Sequence, residues 1–224
     1  MPRSAAQPFV YALLRIFARL IAVTFYRLRC EGREHWPATG GGLVCSNHQS
    51  FFDPPLIGMT CPRQMSYLTR DTLFKVPVLS QVMTFLGTIP IDREGSGLSG
   101  LKETLKRLRA GELVLIFPEG TRTYDGELLP LKPGFCAVAR RSRVPLIPVG
   151  MDGAYQAWPR TALLPQVGRL AVVIGRPISP AEVESMSDVA LVAELDSRMR
   201  ACHLEARRMR EGCYVDPLLL VGLK

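Results

Sequence analysis

No two cysteines in this chain have C-x-x-C spacing, and no cysteine–histidine cluster has the spacing of a zinc site. Cys30, Cys45, Cys61, Cys136, Cys202 and Cys213 sit mostly in apolar stretches, where a free cysteine behaves as a small hydrophobe. Reduced thiols in a cytosolic compartment are therefore expected, with no metal. A G-x-S-x-G nucleophile elbow is missing, which argues against a serine hydrolase of that design. Repeats, low-complexity tracts and interleaved aromatic and basic residues are absent, so a stacking platform for nucleic acid is not expected. No uncharged apolar run reaches the length of about 20 residues that spans a bilayer. Histidine is scarce, with three in the chain.

What is present suits one large globular domain: 224 residues, 47% hydrophobic and 21% charged. The formal net charge of +8 suits an anionic partner, whether a membrane surface, a phosphorylated substrate or nucleic acid. Residues 8–28 read as a helix interrupted by Arg15, Arg19 and Arg27, with Arg29 near the same angle if the helix continues. A cationic stripe beside a broad apolar face predicts an amphipathic helix lying in the membrane interface. A core-packing helix and a short membrane hairpin are the alternatives. The arginines also break any signal-peptide apolar region. The expected organisation is a membrane-associating helix over 1–29 and a catalytic domain over 30–224.

Beyond this helix, strand and helix patterns alternate. Strands are expected at Leu43–Cys45, Met65–Leu68, Thr88–Ile91, Leu113–Phe117, Leu146–Gly150 and Leu170–Ile174. Helices are expected at Val78–Leu86, Leu98–Arg109, Gly134–Ser142 and Asp188–Glu211, with a plain loop over Thr161–Gly168. This alternation predicts an α/β fold: a single domain with a mostly parallel or mixed sheet flanked by helices.

Two loops that follow strands carry chemistry. The first reads Asn47-His48-Gln49-Ser50-Phe51-Phe52-Asp53. Histidine serves as a general base near neutral pH, and a carboxylate fixes its tautomer and stabilises its cation. Residues five apart on one continuous helix point about 140° apart, so His48 and Asp53 meet only if the chain turns between them. Pro54-Pro55 favours a helix starting there, with Asp53 as an alternative N-cap. The second loop reads Phe117-Pro118-Glu119-Gly120-Thr121-Arg122-Thr123, and its arginine suits a phosphate. Arg93 ends a third stretch, GTIPIDR, and VPLIPV over 144–149 supplies an apolar wall.

The order NHQSFFD, GTIPIDR, FPEGTRT, VPLIPVG resembles the four blocks of the glycerolipid acyltransferase family, which includes the 1-acylglycerol-3-phosphate acyltransferases. The likeness runs over about residues 30–180. It implies that His48 is the general base and that Asp53 orients it. Asn47 and Ser50 would shape the turn or bond near the reacting centre. Arg93 and Arg122 would bind the acceptor phosphate, Glu119, Gly120 and Thr121 would position the acceptor, and Lys132 would add positive charge. Arg70 stands where the family often has lysine. The implied reaction is direct acyl transfer from acyl-CoA or acyl carrier protein to a lysolipid hydroxyl, with no cofactor. Backbone N–H groups near the NHQSFFD turn are expected to hold the oxyanion. The implied setting is peripheral or monotopic on the cytoplasmic face of a membrane. A serine hydrolase using Ser50, or a lipid-binding protein without catalysis, is the rival reading.

Overall fold

The computed structural model describes residues 16, 20–70, 89–91 and 98–212. Seven strands form one sheet in the order β1-β7-β6-β2-β5-β3-β4. They are β1 (Arg29–Glu31), β2 (Gly42–Ser46), β3 (Met65–Arg70), β4 (Ile89–Ile91), β5 (Leu113–Ile116), β6 (Leu146–Asp152) and β7 (Ala171–Ile174). All neighbours are parallel except β6 and β7, which run antiparallel. The domain is thus α/β with a mixed sheet, as the alternating pattern predicts.

Every residue of β2 and β6 is buried. That is why these central strands read as unbroken apolar runs and not as alternating ones. Side chains leave them for two separate layers. Val44, Ile147, Val149 and Met151 join Leu56, Ile57 and Met59 of helix α2 (Asp53–Thr60) on one face. Leu43, Cys45, Val114 and Leu146 meet the other face. There they pack on α3 (Leu98–Arg109), α4 (Gly134–Ser142) and the long C-terminal helix, through Leu108, Phe135, Leu191, Leu195 and Met199. The described helices also include α1 (20–26), the short α5 (Ala154–Ala157) and α6 (Pro180–Ser185), and the long C-terminal helix is α7 (Asp188–Glu211). The start of α6 is written in the sequence: Ser179 and Glu182 form a reciprocal capping box around Pro180.

Helix α7 lies directly on β6, and a glycine makes this possible. A Cβ on Gly150 would come within 2.2 Å of the His203 backbone nitrogen. No rotamer relieves a clash with backbone, so any side chain here pushes α7 off the sheet.

The expected helices over Leu98–Arg109, Gly134–Ser142 and Asp188–Glu211 appear with those bounds. The expected helix Val78–Leu86 lies outside the described residues. Of the N-terminal helix, residues 16 and 20–26 are described, and they are helical. Leu20, Val23 and Phe25 are exposed on it, while Ala22 is buried. No helix among the described residues is long and apolar enough to cross a membrane. The division between 29 and 30 falls at the start of β1, whose Arg29 pairs with Ala171. The described cysteines are free thiols. Burial pushes the Cys202 thiol up to about 11 and Cys45 higher still, which makes both inert.

Candidate active site

Strands β2 and β5 are parallel neighbours, so the loops that leave their C-terminal ends emerge on the same rim of the sheet. The first loop carries His48 and the second begins at Phe117. His48 Nδ1 lies 2.6 Å from Asp53 Oδ2. The same carboxylate oxygen accepts the backbone N–H groups of Gln49 at 2.6 Å and Ser50 at 2.8 Å. The chain therefore does turn between His48 and Asp53, around the carboxylate itself. Asp53 opens α2 but does not cap it. Phe52 holds the N-cap position, and the Asp53 side chain reaches back into the turn.

Asp53 is fully buried. Burial raises its pKa, and the His48 ring and the two backbone N–H groups oppose that rise. In the tautomer that donates Nδ1–H to Asp53, Nε2 of His48 carries the lone pair that can accept a proton. The imidazole is about one-fifth exposed and stacks on Phe117, with ring centroids 3.9 Å apart. That contact covers one face of the ring and fixes its plane.

The neighbours of His48 are fastened to distant parts of the fold. Asn47 donates to the Met151 carbonyl and accepts the Met151 N–H, both at 2.9 Å. Its amide thus continues the ladder between β2 and β6. Gln49 donates to the Gly126 carbonyl at 2.7 Å and accepts the Tyr155 N–H at 3.3 Å. Ser50 Oγ donates to the Trp158 carbonyl at 2.7 Å and accepts the Phe52 N–H at 3.2 Å. With those bonds in place, Ser50 is not aligned as a nucleophile for His48.

The second loop holds His48 by its backbone. Glu119 Oε1 accepts the His48 N–H at 2.6 Å, and Thr123 N–H donates to the His48 carbonyl at 2.8 Å. The other Glu119 oxygen accepts the Leu129 N–H at 2.8 Å. Glu119 is buried, and that burial pushes its pKa up to about 7. In this geometry each of its oxygens accepts a backbone N–H, and the carboxylate ties the His48 backbone to the second loop. Thr121 is exposed. Gly120 adopts a positive φ of 74°, and a Cβ there would meet the Lys132 side chain at 3.0 Å. The Arg122 guanidinium lies 3.7 Å over the Phe51 ring. Lys132 therefore lies against the turn at Gly120, and Arg122, two residues on, lies against the first loop at Phe51. Arg93 lies outside the described residues, and Arg70 is described through its backbone alone.

Most backbone donors of the His48 turn are committed within the protein. The backbone N–H groups of His48, Gln49, Ser50, Phe52 and Asp53 all have intramolecular acceptors. These five donors fix the carboxylate and the histidine, and the Phe51 N–H between them has no such acceptor among the described residues. Sequence reasoning missed Phe117, Gln49 and Thr123 as supports of the histidine. The FPEGTRT block contains two of them, but residue type alone did not show which side chains point inward.

A histidine braced by a buried carboxylate, on the C-terminal rim of a mixed sheet, is a site built for proton transfer. The model of the acyltransferase family matches residues 27–152, and this chain belongs to that family. Among its relatives is the 1-acyl-sn-glycerol-3-phosphate acyltransferase of Bacillus subtilis. It is 32% identical over 156 residues, which make up 69% of this chain and 75% of that protein. A chloroplastic 1-acyl-sn-glycerol-3-phosphate acyltransferase of Brassica napus is 28% identical over 81% of this chain. The chain spans about half of that plant protein's length, 54%. The crystal structure of the 1-acyl-sn-glycerophosphate acyltransferase of Thermotoga maritima superposes with a TM-score of 0.77 at 26% identity. That match covers 92% of this chain and 85% of the other.

Proposed function

We propose that this protein transfers a fatty acyl group from a thioester, acyl-CoA or acyl carrier protein, to the free hydroxyl of 1-acylglycerol-3-phosphate, giving phosphatidic acid. The observation that carries this reading is the 2.6 Å bond between His48 and Asp53, held in place by the second motif. His48 Nε2 takes the hydroxyl proton as the oxygen attacks the thioester carbonyl. The carbon–sulfur bond then breaks, and the thiolate leaves and takes up the proton from His48. Asp53 keeps Nε2 unprotonated at the start and stabilises the imidazolium in between. Thiolate is a good leaving group, so no metal or acyl-enzyme is required.

Arg122, Lys132 and Arg93 would meet the acceptor phosphate. The aromatic groups beside the site suit the apolar parts of both substrates: Phe51 and Phe52 lie 5.4 and 5.0 Å from Trp158. With the exposed apolar face of residues 20–26, they favour a peripheral or monotopic protein on the cytoplasmic face of a membrane. Acylation of a different lysolipid is the second reading. It is favoured by the small number of cations around the site, which specify an anion and no more.

The test is incubation of the purified protein with radiolabelled long-chain acyl-CoA and a panel of lysolipids, beside His48→Ala. Labelled diacyl product from one acceptor, absent in the variant, supports the reading and names the substrate. No product with acyl-CoA or with acyl carrier protein sinks it.

A further inference from the structure

Three segments far apart in sequence meet in a cleft of about 100 Å³ lined by Arg27, Arg29, Arg169, Leu170, Met209 and Arg210. None of these residues belongs to the His48 turn. Arg210 is engaged by Asp152 and Glu211, and Arg29 donates to the Met209 carbonyl at 3.1 Å. Arg27 and Arg169 are exposed, and neither forms an ion pair among the described residues. Asp152 is shared among Arg210, Arg207 and His203, and Glu211 pairs with Arg210. Arg27, Arg29 and Arg169 therefore line one small volume with no carboxylate paired to them among the described residues.

Arg27 also sits in an unusual backbone state. Its φ is 43°, and the chain closes behind it through Leu28 N–H to the Ala22 carbonyl at 3.1 Å. This is the left-handed turn that ends a helix, where glycine is the usual residue. An arginine adopts it only under strain. The strain puts a cation where the cleft begins.

Arg27 and Arg169 each close an apolar prong. Arg27 follows Leu20, Val23 and Phe25 of the N-terminal helix, which are 60%, 50% and 55% exposed. Arg169 follows the loop 161–168, where Leu163, Leu164 and Val167 are 89%, 72% and 74% exposed. This loop is fastened at its base, since Trp158 Nε1 donates to the Ala162 carbonyl at 3.1 Å and Gln166 N–H to the Ala157 carbonyl at 2.7 Å. The prongs are joined, too, because Leu170 N–H donates to the Tyr26 carbonyl at 3.0 Å. Apolar groups that stand out beside unmatched guanidinium groups match the chemistry of an anionic lipid surface, with tails above and phosphates at the boundary.

We infer that this cleft binds the phosphate of an anionic phospholipid headgroup, and that the loop 161–168 enters the apolar layer of the membrane beside the N-terminal helix. The site rests on the membrane-surface part of the proposed function and is separate from the acyl-transfer chemistry.

The experiment is flotation of the full chain with vesicles of phosphatidylcholine, with and without phosphatidylglycerol. Arg27→Gly with Arg169→Gln is expected to lower affinity for the anionic vesicles by roughly tenfold or more, with little change for phosphatidylcholine alone. Leu163→Ser with Leu164→Ser is expected to weaken binding to both. Arg27→Gly suits the left-handed turn, so its melting temperature should hold or rise, and lost binding then reports the charge and not unfolding. Undiminished anionic binding by the double arginine variant overturns the inference. Displacement by inorganic phosphate beyond that by chloride at matched ionic strength is expected of a phosphate-binding cleft, and equal displacement by the two overturns it as mere charge attraction. Acyl transfer to detergent-dispersed acceptor is read in parallel and should be unchanged in the arginine variants. Absence of transfer in every protein would count against the proposed reaction while leaving the flotation result to decide this site.

Discussion

Glu119 accepts the backbone N–H of His48 at 2.6 Å, and its second oxygen accepts the N–H of Leu129 at 2.8 Å. Both contacts need an acceptor. Glu119→Gln must turn an NH₂ group toward one of two N–H donors. Displacement of His48 relative to its substrate is then expected, with kcat falling about tenfold to a hundredfold while KM changes less. Steady-state kinetics would check this. A rise in KM alone would return Glu119 to acceptor binding.

The same residue has a pH signature. Burial raises the Glu119 pKa from 4.5 to about 7, so the folded protein binds more protons than the unfolded chain between those values. Its contribution to stability is therefore fullest below pH 4.5 and is lost as the pH rises through about 7. Relative to Glu119→Gln, which does not titrate, the wild-type protein should lose stability across that window and then level off. Urea unfolding of both proteins at several pH values measures it. A difference that grows with pH would contradict the raised value.

Asp53→Asn removes the charge that supports His48 and turns an amide toward the Gln49 and Ser50 N–H donors. Turnover should drop by about 10³ to 10⁴, by analogy with amide replacement in other His–Asp pairs. Circular dichroism would show whether the fold survives. Activity within tenfold of wild type would remove Asp53 from the mechanism.

Ser50→Ala leaves the Trp158 carbonyl without its hydroxyl donor. The expected effect is a stability loss of about 1–2 kcal/mol, with turnover retained within about tenfold. Mass spectrometry of the wild-type protein mixed with acyl-CoA should find no acyl-serine. A trapped acyl group on Ser50 would restore the serine-nucleophile reading.

Gly150→Ala places a methyl group on the backbone of α7 at the turn holding His203. A destabilisation of about 3 kcal/mol or failure to fold is expected. Thermal melting decides this, and an unchanged midpoint would mean that α7 does not sit where the structure has it.

Much of this molecule was legible in advance because its elements carry their own signals. Leucines at helical spacing gave Leu98–Arg109, and an unbroken apolar run between Gly111 and Pro118 gave β5. His48 and Asp53 stood out through residue type and the prolines that follow. What escaped was long-range. Glu119 reads as a surface charge until its partner 71 positions away is known. Gln49 reaches across 77 positions to Gly126, and it lies 3.4 Å from His203 at a separation of 154. Periodicity reports how one element is buried and is silent about which backbone group a side chain will meet. The same limit hid the reversal of β7 against β6. It also hid which N–H groups of the His48 turn are already taken, because such groups look free until their acceptors are seen.

The pairing of β1 with β7 sets an order of events during synthesis. Arg29 emerges from the ribosome roughly 140 residues before Ala171, its strand partner, a delay on the order of ten seconds. Throughout that interval the apolar stretch before β1 has no sheet to dock on. A lipid bilayer or a chaperone is then its nearest apolar neighbour. On the membrane-surface function proposed above, that stretch would meet its bilayer before the rim carrying His48 exists, and the domain would close afterwards.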